Sequence, residues 1–454
     1  VGDANDLEML ERAITVFQNT NDRPTLIIVD SHIAYGAPNK QDTSGAHGEP
    51  LGEEEIRLAK RHYGWPEDAK FLVPDGAREH FAAGIGKRGH DLREAWMEKL
   101  SNYGKVFPQL AGELIRMQRR ELPDGWDNDL PSFPADPKGL ATRDSSGKVL
   151  NALARNIPWL MGGSADLAPS TKTRLTADTF GDFAPSNGRG RNMHFGIREH
   201  AMAAIANGLS LSKIRPFCST FLIFSDYCKP AIRLSAIMEI PTIYIFTHDS
   251  IGVGEDGPTH QPIEQLTSLR SIPGLITIRP ADANEVVEAW KLIAQLRHSP
   301  VALVLSRQAL PTLDRTKYAS ATAVEKGAYI LADSADGNPE VLLIATGSEV
   351  SMCVQAFEQL SSEGIRARVV SLPSWELFAR QSQEYRDSVL PPSLTARLAV
   401  EQASTFGWER FVGPQGRIIG MSTFGTSAPL KDVQRKFGFL SESVVEAAKR
   451  VLGR

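Results

Sequence analysis

The segment Ile240–Pro262, IPTIYIFTHDSIGVGEDGPTHQP, joins two kinds of sequence. Its first seven residues form an apolar, β-branched run that predicts a buried β-strand. The sixteen residues from Thr247 onward contain two histidines, three carboxylates and three glycines. Ligands of parallel α/β sheets bind where such strands end, and glycines let a ligand approach the backbone. We therefore predict a catalytic loop at the carboxyl edge of a sheet. A surface loop whose glycines only make turns is the alternative.

Composition limits the class of protein. A chain of 454 residues with 42% apolar residues has enough material for two to four domains with proper cores. A formal net charge of -4 gives no sequence-wide basic field, so we expect no nucleic-acid partner. Three cysteines are too few for a disulfide framework or a zinc site, which favours a reducing compartment and a cytoplasmic location. No apolar run reaches membrane-spanning length, so we expect no membrane partner.

Helical patterns alternate with short apolar runs along most of the chain, which predicts an α/β protein whose parallel sheets carry helices on both faces. We divide the chain into an αβ unit (1–65), a polar inter-domain linker with helices (66–140), and two sheet domains (141–315 and 325–454). The αβ unit contains a predicted strand at 25–30. The other predicted strands are 159–162, 192–195, 216–220, 242–247, 275–278, 301–306, 341–345, 368–371, 398–401 and 417–421.

The loop THDSIGVGEDGPTHQP resembles the pyrimidine-domain signature of transketolases, which are thiamine-diphosphate enzymes. Other segments resemble motifs of the same family, in the family's order. They are GAPNK and GAHGEPLG (36–52), GGSADLAPS (162–170), HFGIREHAMAAIANG (194–208), STFLIFSDY (219–227), LSRQ (305–308), ATGSEV (345–350) and MSTFG (421–425). The resemblance spans essentially the whole chain and rests on several independent motifs.

This resemblance implies reversible transfer of a two-carbon ketol unit from a ketose phosphate to an aldose phosphate, in the pentose phosphate pathway. It implies thiamine diphosphate as cofactor, with Mg²⁺ or Ca²⁺ at its diphosphate, and a homodimer. It also identifies 141–315 as the pyrimidine-binding domain and 325–454 as the transketolase C-terminal domain. The alternatives are a related enzyme such as dihydroxyacetone synthase and a non-catalytic dimerisation or regulatory module.

Two groups of residues are expected to hold the cofactor. From the local sequence alone, Glu199 is typical of a carboxylate at a helix start, whereas the resemblance implies that it hydrogen-bonds the aminopyrimidine ring and is catalytic. Phe221, Phe224 and Tyr227 recur every three residues, a spacing typical of helix core, but the resemblance implies an aromatic cradle for that ring. By the same resemblance, Asp166 in the GGSADLAPS motif is a further cofactor-binding residue.

The resemblance also assigns the substrate site. It implies that His47 contacts both cofactor and substrate and is catalytic, and that His260 is catalytic beside the reacting carbons. Asp256 is expected to accept a hydrogen bond from the substrate C2 hydroxyl, since an ionised carboxylate is an acceptor only. The remaining residues form the expected phosphate clamp, in which arginine suits phosphate oxygens. They are Arg143, Ser170, His248 and Arg307.

The start of the chain departs from the family pattern. Transketolases carry a Gly-Asp-Gly motif and a later asparagine that hold the metal and the diphosphate, whereas this chain has Gly2-Asp3-Ala4. We therefore expect residues 1–65 to be the C-terminal remnant of the diphosphate-binding domain and the chain to lack most of that domain. On this view no residue of the chain is a metal ligand, and the protein is a fragment or one subunit of a split enzyme. Such a chain is inactive until a separate diphosphate-domain polypeptide is supplied.

Overall fold

The computed structural model describes residues 1–454, which divide into two units, Val1–Asn102 and Tyr103–Arg454. The first helix begins at Leu7, and the Asp6 carboxylate caps it by accepting a hydrogen bond from the Met9 amide at 3.0 Å. The helices of the first unit are α1 (Leu7–Asn19), α2 (Gly45–Gly48), α3 (Glu53–His62) and α4 (Ala77–Phe81), with a π-helical turn at Ala82–Gly86, and α5 (Lys87–Val106) begins in this unit and ends in the second.

The strand predicted at 25–30 is wrong, since no residue of 1–102 lies in a β-strand. Leu26 is 84% exposed and Ile28 is 71% exposed. Asp30 exchanges backbone hydrogen bonds with Val1 and Ala4 (2.9 and 2.8 Å) and with no strand. The β-branched run has no ladder to join within its unit, and an apolar run alone does not make a strand.

The second unit alternates helices and strands as predicted. Its strands are β1 (Asp136–Ala141), β2 (Leu160–Ser164), β3 (Asn192–His194), β4 (Arg215–Phe221), β5 (Ile243–Thr247), β6 (Ile276–Ile278), β7 (Val301–Leu305), β8 (Ala309–Thr312), β9 (Tyr329–Ala332), β10 (Val341–Ala345), β11 (Ala367–Ser371), β12 (Arg397–Ser404) and β13 (Arg417–Met421). Its helices are α6 (Pro108–Gln118), α7 (Thr142–Asn156), α8 (Ala168–Thr171), α9 (Glu199–Leu211), α10 (Ser225–Ile237), α11 (Gln265–Arg270), α12 (Ala283–Gln295), α13 (Glu349–Ser362), α14 (Trp375–Ala379), α15 (Gln383–Val389), α16 (Glu409–Val412), α17 (Leu430–Phe437) and α18 (Ser441–Val451). Short 3₁₀ turns occur at Leu222–Phe224, Ile251–Asp256 and Ala321–Lys326.

A six-stranded parallel sheet has the order β3-β2-β4-β5-β7-β6. Every residue of β5 and β7 is buried, which is why both read as continuous apolar runs and not as alternating ones. The helices α9 and α10 pack together beside β4. This sheet confirms the prediction of a parallel α/β domain and places the end of β5 near its centre.

A five-stranded sheet has the order β13-β12-β10-β11-β9. Four of its strands are parallel and were predicted, whereas β9 is an antiparallel edge strand that was not. The pair β1 and β8 was also missed. These two strands form a separate antiparallel ribbon whose residues, DPKGLA and ALPT, have low strand propensity. Gly139 makes this ribbon possible, since an added Cβ would lie 1.7 Å from the Leu310 carbonyl oxygen.

No helix of the structure is long and apolar enough to cross a membrane. The three cysteines, Cys218, Cys228 and Cys353, are all buried and unpaired. Burial, with a smaller contribution from the charge of Glu199, raises the pKa of the Cys228 thiol to about 12. These thiols are therefore protonated and shielded at neutral pH.

Candidate active site

The carboxyl ends of three neighbouring strands bring predicted site residues side by side. The strands β4, β5 and β7 are parallel, and their register aligns Phe221 with Thr247 and Thr247 with Leu305. The chain leaves the sheet just beyond these positions, so His248 and Arg307 emerge at the same edge as Phe221. This is the edge at which ligands of parallel sheets bind.

Five aromatic side chains gather at this edge. The Phe221 and His248 rings stack with centroids 3.6 Å apart, and Phe221 and Phe224 stack at 5.9 Å. Tyr227 stacks on Phe224 at 6.0 Å, and His260 meets Phe224 edge-on at 5.6 Å. We call these five residues the ring cluster. Tyr227 is 65% exposed and Phe224 is partly exposed, so the spacing of three residues does not mark a helix core here.

His248 is the most constrained member of the ring cluster. It is buried, its backbone has a φ of 60°, and its Nδ1 lies 2.9 Å from the Thr247 hydroxyl. Burial, together with the positive charges of Arg143 and Arg307 and the nearby His260, lowers the pKa of the imidazole to about 3. The ring is therefore neutral at physiological pH and acts as a hydrogen-bonding group and not as a cation.

His260 and Asp256 lie in the same loop but differ in setting. The Nδ1 atom of His260 is 3.0 Å from the Thr259 hydroxyl, which leaves Nε2 as its unbonded nitrogen. Asp256 ends the 3₁₀ turn Ile251–Asp256, is exposed and accepts no hydrogen bond within the chain. Both side chains are thus free to contact a ligand at this edge.

Two reciprocal hydrogen bonds join Thr142 and Ser306, the residues that precede the two predicted arginines. The Thr142 amide donates to the Ser306 hydroxyl at 3.1 Å, and the Ser306 amide donates to the Thr142 hydroxyl at 2.7 Å. Since Arg143 and Arg307 directly follow these two residues, the pair fixes both arginines at one place. This role of Thr142 and Ser306 was not predicted, although the sequence shows a hydroxyl residue directly before each arginine, in Thr142-Arg143 and Ser306-Arg307.

The two guanidinium groups have no carboxylate partner within 4 Å. Arg143 donates from Nη1 to the Ser170 carbonyl at 3.0 Å, and its buried Nε has no hydrogen-bond partner. Burial lowers the pKa of Arg143, and the charge of Arg307 lowers it further against the opposing effect of Asp144. Two adjacent positive groups with spare donors make an anion-binding site. Ser170 therefore lies at the predicted clamp, with its carbonyl bonded and its hydroxyl unbonded.

Glu199 is the first residue of α9 and is buried, with 8% of its surface exposed. Its carboxyl group accepts no hydrogen bond and has no ion-pair partner within the chain, so it is available to bond with a ligand. It lies close enough to Cys228 of α10 to raise the pKa of that thiol, although burial contributes more. Cys228 is one turn beyond Phe224, so Glu199 belongs to the same edge as the ring cluster.

The C-terminal domain holds the loop that carries Asp256 and His260. Gln261 donates from Nε2 to the carbonyls of Gly254 and Thr426, at 2.8 and 3.0 Å. The Ser427 hydroxyl donates to the Glu255 carbonyl. The loop is thereby fixed from a neighbouring domain and not only by its own glycines.

The last two predicted residues are His47 and Asp166. His47 is in the first unit, on α2, and is exposed, so its predicted role stays a prediction. Asp166 is exposed, has a φ of 60°, and lines a cavity of about 260 Å³ with Ser164, Asn192 and His194. No residue of the ring cluster lines this cavity. No group of three or more His, Cys, Asp or Glu side chains is arranged to hold a metal ion.

Family comparisons assign the chain in three parts. The family described as "Transketolase, thiamine diphosphate binding domain" matches residues 1–123. "Transketolase, pyrimidine binding domain" matches residues 138–312, and "Transketolase-like TK C-terminal domain" matches residues 327–440.

Individual relatives match nearly the whole of this chain. A transketolase of Geobacillus stearothermophilus is 48% identical over 455 residues, which cover 100% of this chain and 68% of the relative. The structure of a Leishmania mexicana transketolase superposes with a TM-score of 0.89 at 41% identity, over 99% of this chain and 66% of that one. A Pichia stipitis transketolase variant in complex with xylulose 5-phosphate also gives a TM-score of 0.89, at 37% identity, over 100% of this chain and 66% of that one.

These findings correct one expectation. The chain was expected to lack most of the diphosphate-binding domain, but the family for that domain matches residues 1–123. The absence of a Gly-Asp-Gly motif was too narrow a signal, because the match reaches well beyond residue 65. A fragment or split subunit, a separate diphosphate-domain polypeptide and an inactive isolated chain were all inferred from that expectation, and they are likewise unsupported.

Proposed function

Because this chain belongs to the transketolase family, we propose that it catalyses reversible transfer of a two-carbon ketol unit from a ketose phosphate to an aldose phosphate, as a step of the pentose phosphate pathway. One observation carries the proposal. Three features lie at one sheet edge: the ring cluster, the neighbouring guanidinium groups of Arg143 and Arg307, and the unbonded Glu199 carboxyl group. They offer a stacking surface, an anion site and a proton-handling group for the cofactor and the sugar phosphate.

Thiamine diphosphate fits the residues of this edge. The exposed faces of Phe224 and Tyr227 suit a flat heteroaromatic ring, and the Glu199 carboxyl group has no hydrogen-bond partner within the chain and can bond to that ring. When bound, the cofactor supplies the carbon nucleophile that cleaves the bond beside the ketose carbonyl. Glu199 holds a proton at the pyrimidine ring, and Asp166 is a further proposed contact of the cofactor.

A divalent cation, Mg²⁺ or Ca²⁺, is proposed at the cofactor's diphosphate. Magnesium in such sites takes several of its oxygen ligands from phosphate and water. The chain offers no cluster of three His, Cys, Asp or Glu side chains, so the residues present do not by themselves fit a metal site. We assign no metal ligand and derive no step through the metal.

The histidines orient the sugar and move protons at its hydroxyls. His260 presents an unbonded Nε2 and is proposed to contact the carbonyl and hydroxyl at the reacting carbons. His47 is proposed to contact both the cofactor and the substrate. Asp256 accepts a hydrogen bond from the C2 hydroxyl in this proposal, since its exposed carboxylate has no other partner.

Binding of the phosphate end falls to Arg143, Ser170, His248 and Arg307. The arginines supply charge and planar donors, while the neutral His248 supplies one hydrogen bond. Sugar phosphates are therefore the proposed substrates, and the xylulose 5-phosphate complex of the Pichia stipitis relative supports this class. We also propose a homodimer in the cytoplasm. The three buried, unpaired cysteines support a reducing compartment.

A coupled assay with xylulose 5-phosphate, ribose 5-phosphate, thiamine diphosphate and Mg²⁺ tests the function. We expect turnover by the wild-type protein that depends on added thiamine diphosphate, and a strong loss in Arg143→Ala. The absence of turnover in a folded protein that binds the cofactor would reject the proposal in favour of a non-catalytic module. Faster turnover with formaldehyde as the acceptor would instead identify a dihydroxyacetone synthase.

A further inference from the structure

Arg279 joins two sheet domains behind the candidate site. It directly follows β6 and is fully buried. Its Nε donates to the Asp249 carboxylate at 2.8 Å. Its Nη1 donates to the Thr346 carbonyl at 3.1 Å, and its Nη2 donates to the Ser348 hydroxyl at 3.2 Å. Asp249 belongs to the loop after β5 in the pyrimidine-binding domain, whereas Thr346 and Ser348 lie in the turn after β10 of the C-terminal domain.

The turn after β10 is built against this guanidinium group. Gly347 has a φ of 52°, and a Cβ added there would lie 2.7 Å from the Arg279 guanidinium carbon. The Gly347 amide also donates to the Arg279 carbonyl at 3.1 Å. The side chain and the backbone of Arg279 are thus both held by the C-terminal domain.

The charges around Arg279 are arranged to keep it ionised. Burial alone would lower the pKa of Arg279, but the carboxylates of Glu349 and Asp249 outweigh that effect and raise it. Arg279 also pairs with Glu349 and lies 3.9 Å from Glu401. A buried, fully hydrogen-bonded charge of this kind resists displacement, because any movement leaves a charge unpaired.

Asp249 connects Arg279 to the candidate site, since it directly follows His248 in the chain. The positive φ of His248 is an uncommon backbone state for a residue with a side chain, and such a state persists only where the surroundings impose it. The Thr247 hydroxyl and the Phe221 ring hold the imidazole. The bond from Arg279 holds the backbone on the other side through Asp249.

We propose that Arg279 is a positioning residue that fixes the turn at His248 through Asp249, and so couples the C-terminal domain to the phosphate end of the site. The link to the phosphate end rests on the proposed function, whereas the positioning of His248 does not. Arg279 itself contacts no reacting atom.

The first test measures His248 directly, in the full chain, by imidazole NMR over a pH titration. In the wild type, the buried ring has a pKa of about 3, set by burial and by the charges of Arg143, Arg307 and His260. In Arg279→Lys and in Asp249→Asn, the turn at His248 is no longer held and the imidazole becomes more accessible to solvent. We therefore expect the pKa of His248 to rise by about one unit or more. Asp249→Asn keeps the shape of the side chain and leaves Arg279 with its other partners, so it tests the proposal even if Arg279→Lys does not fold.

The matched control is Arg368→Lys. Arg368 is also buried and pairs with Asp333 through two bonds of 2.6 and 3.1 Å, but within the C-terminal domain alone. We expect Arg368→Lys to be less stable than the wild type but to have an unchanged His248 pKa. An unchanged His248 pKa in both Arg279→Lys and Asp249→Asn, or an equal change in Arg368→Lys, would overturn the proposal.

The second test separates positioning from a general loss of structure by kinetics. For Arg279→Lys we expect KM for xylulose 5-phosphate to rise about tenfold with kcat little changed, and KM for unphosphorylated hydroxypyruvate to stay near the wild-type value. Equal losses with both donors would reject the coupling. A wild type without any turnover would reject the proposed function, while the NMR result would still decide whether Arg279 positions His248.

Discussion

Charged residues at the carboxyl edges of the two large sheets are bonded differently. At the edge of the six-stranded sheet, Asp249 pairs with Arg279, but Arg143, Glu199 and Arg307 beside the ring cluster have no ion-pair partner, and we call these three residues the unpaired edge. At the edge of the five-stranded sheet, Glu349 and Glu401 pair with buried arginines, and we call this the paired edge. The contrast teaches that polar residues at strand ends indicate a binding site only where the chain leaves them without partners.

The energetic difference between the edges explains the contrast. The charged groups of the unpaired edge contribute no ion pair to the folded state and remain available to a ligand, as is common at functional sites. The Glu401 carboxylate instead accepts two bonds from Arg270 (2.8 and 2.7 Å) and one from the Trp408 indole (2.8 Å). Changes at the unpaired edge should therefore reduce activity, and changes at the paired edge should reduce stability.

The largest expected effect is at Glu199. We expect Glu199→Gln to lower turnover by about 10²- to 10⁴-fold, because a positioned proton-handling group contributes that much. Stability should stay within about 0.5 kcal/mol of the wild type, since no hydrogen bond within the chain is lost. Steady-state kinetics and urea unfolding measure the two quantities. Unchanged turnover, or a loss of several kcal/mol in stability, would show that Glu199 stabilises the fold, as the residues of the paired edge do, and does not act in catalysis.

Glu401→Gln is the opposite case and gives a pH signature. The Glu401 pKa is lowered from 4.5 to about 2, because Arg270 and Arg279 outweigh the effect of burial. A lowered carboxyl pKa stabilises the fold above the unfolded value near 4.5, and this contribution is lost as pH falls toward 2. We expect the variant to be less stable than the wild type by about 3 kcal/mol at pH 7.

Unfolding free energies measured in urea between pH 7 and pH 3 test this sign. The difference between the two proteins should shrink steadily below a pH of about 4.5. A difference that is constant with pH would mean that the side chain contributes through shape and not through charge. A wild-type level of turnover in the folded variant would show that Glu401 contributes to stability and not to catalysis.

Arg307→Ala should have an intermediate effect, confined to the phosphate. We expect KM for phosphorylated acceptors to rise by an amount equivalent to about 1.5 to 3 kcal/mol, the value of a charge-assisted hydrogen bond, with little change for glycolaldehyde. The control is Arg417→Ala, which removes another exposed arginine that has no ion pair. Similar losses for glycolaldehyde and ribose 5-phosphate would show that Arg307 does not bind the phosphate.

The smallest effect is expected at Asp256. Replacement by alanine removes one exposed acceptor, and we expect the preference for ribose 5-phosphate over its 2-deoxy analogue to fall by about 1 kcal/mol, or about fivefold. Thermal stability should not change. The neighbouring exposed Glu255 provides the control, since Glu255→Ala should leave the preference intact. If both variants lose it equally, the effect belongs to the charge of the loop and not to a bond from Asp256.

Much of the fold was predictable because burial and element type agree in the sequence. The runs at β5, β7 and β10 are apolar throughout, and each lies between two covered faces. The run at 25–30 has the same composition but remains exposed, since strand formation depends on neighbours that local sequence does not specify. The edge strand β9 alternates buried and partly buried residues over only four positions, too short a pattern to detect.

The site was predictable to a different degree. The glycine-rich loop after β5 indicated a site from its residues alone, whereas Arg143 read as an ordinary surface charge until the family resemblance was considered. The bonds of Arg279 were not predictable, because its partners lie 30, 69 and 70 residues away in sequence. Such contacts depend on how two sheets pack together, which composition and periodicity do not encode.

Arg279, which is bonded to both sheet domains, has a consequence for protein engineering. A chimaera that takes its C-terminal domain from a relative would receive a new turn after β10 while keeping Arg279 and Asp249 from this chain. Such an exchange retains the join only if the donor provides the same residues at Thr346, Ser348, Glu349 and Glu401. For recombination purposes, the two sheet domains are therefore a single module, and crossover points are better placed outside 247–401 than at the linker between them.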